Sequence, residues 1–339
     1  MNTMNTKAGD AGRIRRTREG LGVLFGRLPG GGPTFIGEKP KGPDWVQADP
    51  RFIEAALSHA KSKNPGGWYA LGGREQFFGV GPFTATVAGR RLVLWRGSKG
   101  QLVAAPESCP HLSASLGEGR VEAGRIVCPW HGLALDERGF RGWRCHPVHD
   151  DGVLVWVRLE TPGETPLERP VITARPSRFV HATIAHEARC EPEDIIANRL
   201  DPWHGAHFHP HSFSALEVLS QSLEVLHLRV TYKVAKVLGV SVGVEVDATF
   251  HCPDARTIAM TIVAGDGQGS VVETHATPLG EGRSLMIEST LATSDRAGFQ
   301  VMVALAPLVR PFIAERARRL WVDDLAYAER RFAVRRGEV

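Results

Sequence analysis

Three features of the 339-residue chain predict an α+β protein in which a small all-β unit precedes an antiparallel sheet crossed by a long C-terminal helix. From Trp68 to about Glu160 the apolar residues come in short runs divided by glycine turns. Beyond the segment Thr161 to Pro170 the runs lengthen and alternate as hairpins do. After Pro311 neither Gly nor Pro interrupts the chain until Gly337. With 42% hydrophobic and 23% charged residues the chain has an ordinary globular composition, long enough for about two domains.

The elements follow in order. Residues 1–65 read as a Gly/Pro-rich extension with one helix. The stretch "LPGGGPTFIGEKPKGP" predicts an extended or partly disordered lead, and "DPRFIEAALSHAKSK" a helix with Asp49 as N-cap and Pro50 at its first position. Residues 66–160 hold the strand candidates "FTATVAGRRLVLWRG", "QLVAAP", "RIVCPW" and "GVLVWVRLE". "TPGETPLERP" is the linker out of this unit. Residues 171–336 hold strands, a short helix, the strands "SQSLEVLHLRVTYKVA", "VSVGVEVDATF", "RTIAMTIVA", "SVVETHAT" and "RSLMIESTLAT", and the terminal helix from Pro311.

Charge and cysteine usage narrow the function. The net charge of +4 comes largely from arginines near both ends, without interleaved aromatics, and gives no support for nucleic-acid binding. Five cysteines are an odd number, and Cys145, Cys190 and Cys252 read as reduced thiols of a cytoplasmic protein, Cys145 with a structural role. "RIRRTREGLGVLFGRL" has a twin-arginine look, but its apolar part, Leu21 to Phe25, is too short for a signal sequence. No run approaches the length of a membrane span.

The densest chemistry lies in "CPHLSASLGEGRVEAGRIVCPWH". Cys109 and His111 stand one residue apart, Cys128 and His131 two apart, and sixteen residues separate His111 from Cys128. Four such ligands could hold zinc, or a [2Fe–2S] cluster with Cys on one iron and His on the other. Each loop supplies one Cys and one His, so each can place its sulfur on an inner iron and its imidazole on an outer one. Replacing two thiolates by neutral imidazoles removes negative charge and raises the reduction potential relative to an all-Cys cluster. Through this CxH plus CxxH pattern, and more loosely from "GGWYALG" to "HPVHDDGVLVWV", the chain resembles the Rieske family. Respiratory Rieske proteins add a disulfide between the two loops, where this chain has Ala114 and Trp130, so the resemblance is to the oxygenase and ferredoxin branch.

A second histidine cluster lies in "NRLDPWHGAHFHPHSF". Non-haem iron(II) oxygenases bind iron by two His and one carboxylate on one face of the metal. In the oxygenase component of Rieske non-haem iron oxygenases an Asp is followed by His three residues later and a second His five beyond. Asp201, His204 and His209 have that spacing, with His207 and His211 as rival ligands. Five residues turn a helix by about 140°, so His209 must come from beyond the helix end, as Pro210 suggests. For the third ligand the terminal helix offers Asp323 and Asp324. Asp323 shares a polar face with Arg316, Arg319, Tyr327 and Arg330, and reads as a surface residue. Asp324 lies among Ala317, Leu320, Trp321, Ala328 and Phe332, where a carboxylate needs a partner or a metal. Asp201, before Pro202, also suits a helix N-cap. The resemblance gives it a second role, bridging an iron-ligand His to a cluster-ligand His of the neighbouring subunit. Asn198 is a candidate neighbour of the iron and equally a candidate helix-surface amide.

The resemblance spans about residues 66–335 and implies a Rieske β domain joined to a helix-grip catalytic domain, usually in a homotrimeric ring. It implies a [2Fe–2S] cluster, mononuclear Fe(II), O2 as co-substrate, and hydroxylation, dealkylation or desaturation of a small substrate. No nucleotide fingerprint follows a strand, so electrons would come from a ferredoxin or an NAD(P)H-dependent reductase. Alternating Val, Leu and Ala in the later strands suits an apolar substrate, with terpenoid or carotenoid-like molecules among the candidates. Two rivals remain: an electron-transfer protein whose second domain only binds a hydrophobic ligand, and a zinc-stabilised binding module.

Overall fold

The computed structural model describes residues 34–36, 48–209, 211–237 and 240–339. Most of the lead and Pro210 thus lie outside the described residues, and with them the extended lead expected there. Within it, β1 (Thr34–Ile36) pairs antiparallel with a strand of the larger sheet. The expected helix is α1 (Pro50–Lys61), and Asp49 Oδ1 accepts the Arg51 N–H at 2.9 Å. Ile53, Ala56, Leu57 and Ala60 form its buried stripe at helical spacing. That stripe joins the core of the second unit rather than the first. Burial of Ile53 and Leu57 contributes about 2 kcal/mol each.

The first unit consists of three small antiparallel sheets. They are β2 (Trp68–Gly73) with β10 (Leu154–Arg158) and β9 (Val148–Asp150); β3 (Phe83–Val87) with β4 (Arg90–Arg96) and β5 (Leu102–Pro106); and β6 (Arg120–Glu122) with β7 (Arg125–Val127) and β8 (Ala134–Leu135). Strand β4 is apolar on both faces because it divides two cores. Leu92 and Leu94 face Tyr69 and Val155, while Val93 and Trp95 face Leu116, Ile126 and Trp143. The indoles of Trp95 and Trp143 donate to the carbonyls of Gly124 (3.1 Å) and Pro106 (3.0 Å), so both bury without an orphaned N–H. β6, β8 and β9, of two or three residues each, are too short to show alternation in the sequence.

The second unit is an eight-stranded antiparallel sheet. Its order is β11 (Val180–Ala188), β17 (Arg283–Ala292), β16 (Val271–Gly280), β15 (Thr257–Gly265), β14 (Val240–Asp254), β13 (Leu226–Val237) and β12 (Phe213–Gln221), with β1 on β14. Two short helices, α2 (Pro192–Leu200) and α3 (His204–Phe208), connect β11 to β12. The run beginning at Ser220, read as one strand, is a hairpin corner. Ser222 Oγ accepts the N–H groups of Glu224 and Val225 (3.3 and 3.0 Å) and ends β12, and β13 starts only at Leu226. α4 (Phe299–Ala304) precedes α5 (Ala306–Arg335), which begins before Pro311 rather than at it. Pro311 lies near the helix start, where its missing N–H leaves only the Pro307 carbonyl without its helical bond. α5 buries Ala314, Ala317, Trp321, Asp324, Ala328 and Phe332, a stripe three and four residues apart that packs against β11 and α2. Among the described residues no helix is long and apolar enough to cross a membrane.

The two units are joined by buried polar contacts as well as by apolar packing. Arg175 donates to both oxygens of Glu273 on β16 (2.7 Å each) and to Asp151 Oδ2 (3.1 Å), which also accepts from Trp156 Nε1 (2.7 Å). Around them Trp68, Ala70, Leu154 and Trp156 of the first unit pack on Ile287 and Leu291 of the second.

Candidate metal centres

The two loops carrying Cys109 and Cys128 repeat one backbone design. Ser113 N–H donates to the Cys109 carbonyl (2.9 Å) and Cys109 N–H to the Ala114 carbonyl (2.9 Å); Gly132 N–H donates to the Cys128 carbonyl (3.1 Å) and Cys128 N–H to the Leu133 carbonyl (2.9 Å). Both loops close through a left-handed residue, Ser113 at φ 58° and Gly132 at φ 69°. The thiols are free, buried and in side-chain contact, and the His111 and His131 rings lie outside them, exposed, with centroids 4.9 Å apart. Burial pushes the Cys109 thiol up. For Cys128 burial acts the same way, but the N–H groups of Trp130 and His131 and the Cys109 thiol outweigh it and bring the group below its ordinary value. Two inner sulfurs lined by amide N–H groups and two outer imidazoles fit an asymmetric [2Fe–2S] cluster. Cys145 stands apart, its sulfur against the Asp136 carbonyl at 3.8 Å and its pKa pushed up to about 11 by burial and by the nearby Glu137 and Asp136.

The second centre brings together residues from α3 and α5. His204 Nε2 and His209 Nε2 lie 3.0 and 2.9 Å from the same oxygen, Asp324 Oδ1. Three ligands on one face of an octahedral ion, with bonds of about 2.1 Å, would lie about 3 Å apart, so this spacing suits a metal held by two imidazoles and one carboxylate. His204 is aimed by its other nitrogen, with Nδ1 2.5 Å from the Asp201 carbonyl oxygen. His209 is the C-cap residue of α3, beyond the helical turn, as the spacing required. Asp324 is 2% exposed. Burial opposes its charge, yet the hydrogen bonds from His204 and His209 hold its carboxyl well below the usual carboxylate range. Asn198 Nδ2 donates to the same Oδ1 at 3.1 Å, while its buried Oδ1 has no protein partner. A convergent set this compact with an orphaned amide oxygen beside it fits a bound metal ion.

Two details differ from the sequence reading. Asp201 is not the N-cap of α3; Trp203 holds that place, and Asp201 closes α2. Its Oδ1 accepts the Trp203 N–H (3.1 Å) in a turn around Pro202, and its Oδ2 accepts from Tyr327 O–H (3.2 Å) on α5. Tyr327, stacked on His204 with centroids 5.4 Å apart, carried no signal beyond lying one turn after Asp324. Asp323, expected as a surface residue, is partly exposed, but its Oδ2 lies 3.3 Å from His209 Nδ1. With His211 and His209 it forms a second possible ligand group, at the surface rather than in the interior. His207 is exposed on α3 and belongs to neither group.

The inner group opens on a cavity of about 240 Å³ between the sheet and α5. The sheet lines it with alternate residues, which a pleated strand presents on one face: Leu228, Val230 and Tyr232 from β13, Phe250 from β14, Met260 from β15 and Val272 from β16. Glu288 and Thr290 of β17 also line it. Burial pushes the Glu288 carboxyl up.

Comparisons with known proteins bear on the family and the fold. Residues 67–147 match the family model of the Rieske [2Fe-2S] domain, and residues 161–339, more than half of the chain, match the family described as Domain of unknown function (DUF5914). The aminopyrrolnitrin oxygenase PrnD of Pseudomonas fluorescens is 31% identical over 165 residues, covering 40% of this chain and 44% of that protein. A vanillate O-demethylase oxygenase subunit of a Pseudomonas species is 25% identical over 149 residues, 39% of this chain and 44% of that one. The chain thus spans less than half the length of these curated relatives. The crystal structure of dicamba monooxygenase bound to dicamba shares the fold, with TM-score 0.58 and 18% identity over 80% of this chain and 88% of that one. The chain belongs to the DUF5914 family and carries that domain behind a Rieske [2Fe-2S] domain, in a fold shared with dicamba monooxygenase.

Proposed function

We propose that the chain is a Rieske-type oxygenase component that uses O2 to hydroxylate, dealkylate or desaturate a small, largely apolar substrate. In this reading residues 66–160 form the electron-entry domain, with Cys109, His111, Cys128 and His131 as cluster ligands, and residues 171–336 the catalytic domain, with His204, His209 and Asp324 as ligands of mononuclear iron. When bound, the cluster supplies electrons singly and the iron supplies the place where dioxygen is reduced. The observation that carries the reading is the convergence of both imidazoles and one buried carboxylate oxygen at an apolar cavity.

The chain's own residues have distinct tasks. Asp201 aims His204 through its backbone carbonyl and holds Tyr327, which stacks on that imidazole, through its carboxylate, so substitution there loosens Tyr327 without removing a ligand. The cavity walls exclude water and hold the substrate over the ligand group. Among the described residues no hydrogen bond joins the cluster loops to this group. Leu112 and Trp130, 58% and 61% exposed, flank the cluster histidines and suit docking against a second copy. A homotrimeric ring would bring one copy's cluster to the next copy's iron, with Asp201 as the bridge, and a ferredoxin or NAD(P)H-dependent reductase would supply electrons.

Iron and acid-labile sulfide analysis, with oxygen uptake in the presence of a ferredoxin, its reductase and NAD(P)H, tests the reading. It expects iron in excess of the cluster's two and substrate-dependent oxygen uptake. Cluster iron alone, with no such uptake, would establish an electron-transfer protein instead, and zinc without visible absorption a structural module.

A further inference from the structure

Besides Asp201, whose carboxylate holds Tyr327, the cavity wall contains one carboxylate that is not among the candidate metal ligands. Glu288 sits in the middle of β17, is 5% exposed, and faces the cavity on the same side of the strand as Thr290. Its neighbours Ile287 and Leu291 turn the other way, into the core between the two units. Among the described residues only one of its oxygens is engaged. Oε2 accepts from Trp321 Nε1 at 2.7 Å and lies 3.5 Å from both Thr274 Oγ1 and Arg199 Nη2. Trp321 precedes Asp324 by one turn of α5, and Arg199 follows Asn198 on α2, so the two groups that fix Glu288 belong to the elements that carry the metal site. No hydrogen bond from the described residues reaches Oε1. An oxygen that opens on the cavity without a protein donor is free to accept one from a ligand.

The other polar groups at the wall are already engaged: Tyr232 O–H contacts the Met260 sulfur (3.5 Å), Arg316 Nη2 donates to the Lys233 carbonyl (2.6 Å), and the Arg199 guanidinium lies beside Glu288 Oε2 and over the rings of Phe250 and Trp321. Apart from the metal ligands and the residues holding them, Glu288 Oε1 and Thr290 Oγ1 are therefore what the chamber offers a polar ligand group. A hydroxyl suits this pair best. It donates to a carboxylate and accepts from a carboxylic acid, and Thr290 can complement it either way. An ether or a quaternary ammonium can do only part of this.

Resting on the oxygenase reading for the identity of the chamber, we infer that the substrate is an apolar molecule with a single hydroxyl, an alcohol or phenol, and that Glu288 is the residue that selects and orients it. The test is binding, which does not need turnover. Titration calorimetry of the purified full chain would compare 2-naphthol with 2-methoxynaphthalene, matched in ring system and differing in the donor. The expected result is a preference of about tenfold or more for 2-naphthol, the size of one hydrogen bond to an acidic group. In Glu288→Leu the preference should disappear while 2-methoxynaphthalene binds as before. Glu288→Gln, which keeps an acceptor for Trp321, should fold even where the Leu variant does not, and should lower the preference severalfold. Equal affinity of the wild-type chain for the two probes, binding of neither, or an undiminished preference in Glu288→Gln would overturn the assignment. Iron analysis of the same samples keeps the two claims apart: a hydroxyl preference in a chain that never holds mononuclear iron would defeat the oxygenase reading and leave the role of Glu288 standing.

Discussion

The two candidate centres are assembled in opposite ways. The cluster loops are local: four ligands lie within one short stretch, two loops share one backbone design, and the imidazoles face solvent. The inner group is distant in sequence and buried: His204 and Asp324 are 120 residues apart, and the third candidate ligand, His209, is 2% exposed. A centre meant to exchange electrons with other proteins needs its outer ligands at the surface. A centre meant to handle dioxygen beside an apolar substrate needs walls, which only a complete sheet and the helix across it can supply.

The difference predicts which perturbations stay local. Cys128→Ser should have the largest effect, abolishing the visible and EPR signals of the cluster and all turnover while leaving iron at the inner group; a cluster spectrum retained in that variant would break the assignment of the loops. Asp201→Asn should come next, lowering turnover about ten- to a hundredfold with cluster and iron both present, because it keeps the backbone carbonyl that aims His204 but removes the charge proposed to bridge the two centres. Stopped-flow reoxidation of the cluster, with substrate and oxygen present, reads this effect, and a near-wild-type rate would reduce Asp201 to a turn residue.

The joint between the regions should respond to acid. Burial disfavours the charges of Asp151 and Glu273, but Arg175, with Trp156 beside the first and His275 beside the second, holds both pKa values below their ordinary 3.8 and 4.5. The folded state therefore binds fewer protons than the unfolded chain. The resulting stability is fully present above those ordinary values and is lost as the pH falls through the lowered ones. Arg175→Met should cost about 3 kcal/mol near neutral pH by leaving two buried carboxylates uncompensated. Denaturant titration at pH 7 and pH 4 should find that gap narrowing toward the acid end; a constant gap would exclude an electrostatic role. The smallest effect should come from Gly132→Ala, where a methyl group meets no neighbour but φ is 69°, at a cost of about 1 kcal/mol in thermal unfolding. Ser113→Gly, in the equivalent position of the other loop, should be neutral or slightly stabilising.

The same contrast explains what could be read from the sequence. A cluster motif made of neighbouring residues was fully visible, and so were the longer strands, β4 as a continuous apolar run and β14 as an alternation. Asp324 was found because a carboxylate on an apolar helical stripe is an anomaly at the level of one helix. Tyr327 was not found, because its role depends on α5 lying beside the α2–α3 corner. Nor was Glu288, although an acid in the middle of "RSLMIESTLA" breaks that run as plainly as Asp324 breaks its own. The hairpin corner at Ser222 was hidden because the apolar alternation resumes directly after it.

The central claim, that His204, His209 and Asp324 hold mononuclear iron, meets its most direct test in metal analysis of two adjacent variants. Both carboxylates approach His209, Asp324 from inside at 2.9 Å and Asp323 from the surface side at 3.3 Å. Asp324→Ala should retain cluster iron and labile sulfide but lose the remaining iron, whereas Asp323→Ala should retain all of it. Loss of that iron from Asp323→Ala with retention in Asp324→Ala would place the metal in the outer group with His211, and would contradict the account.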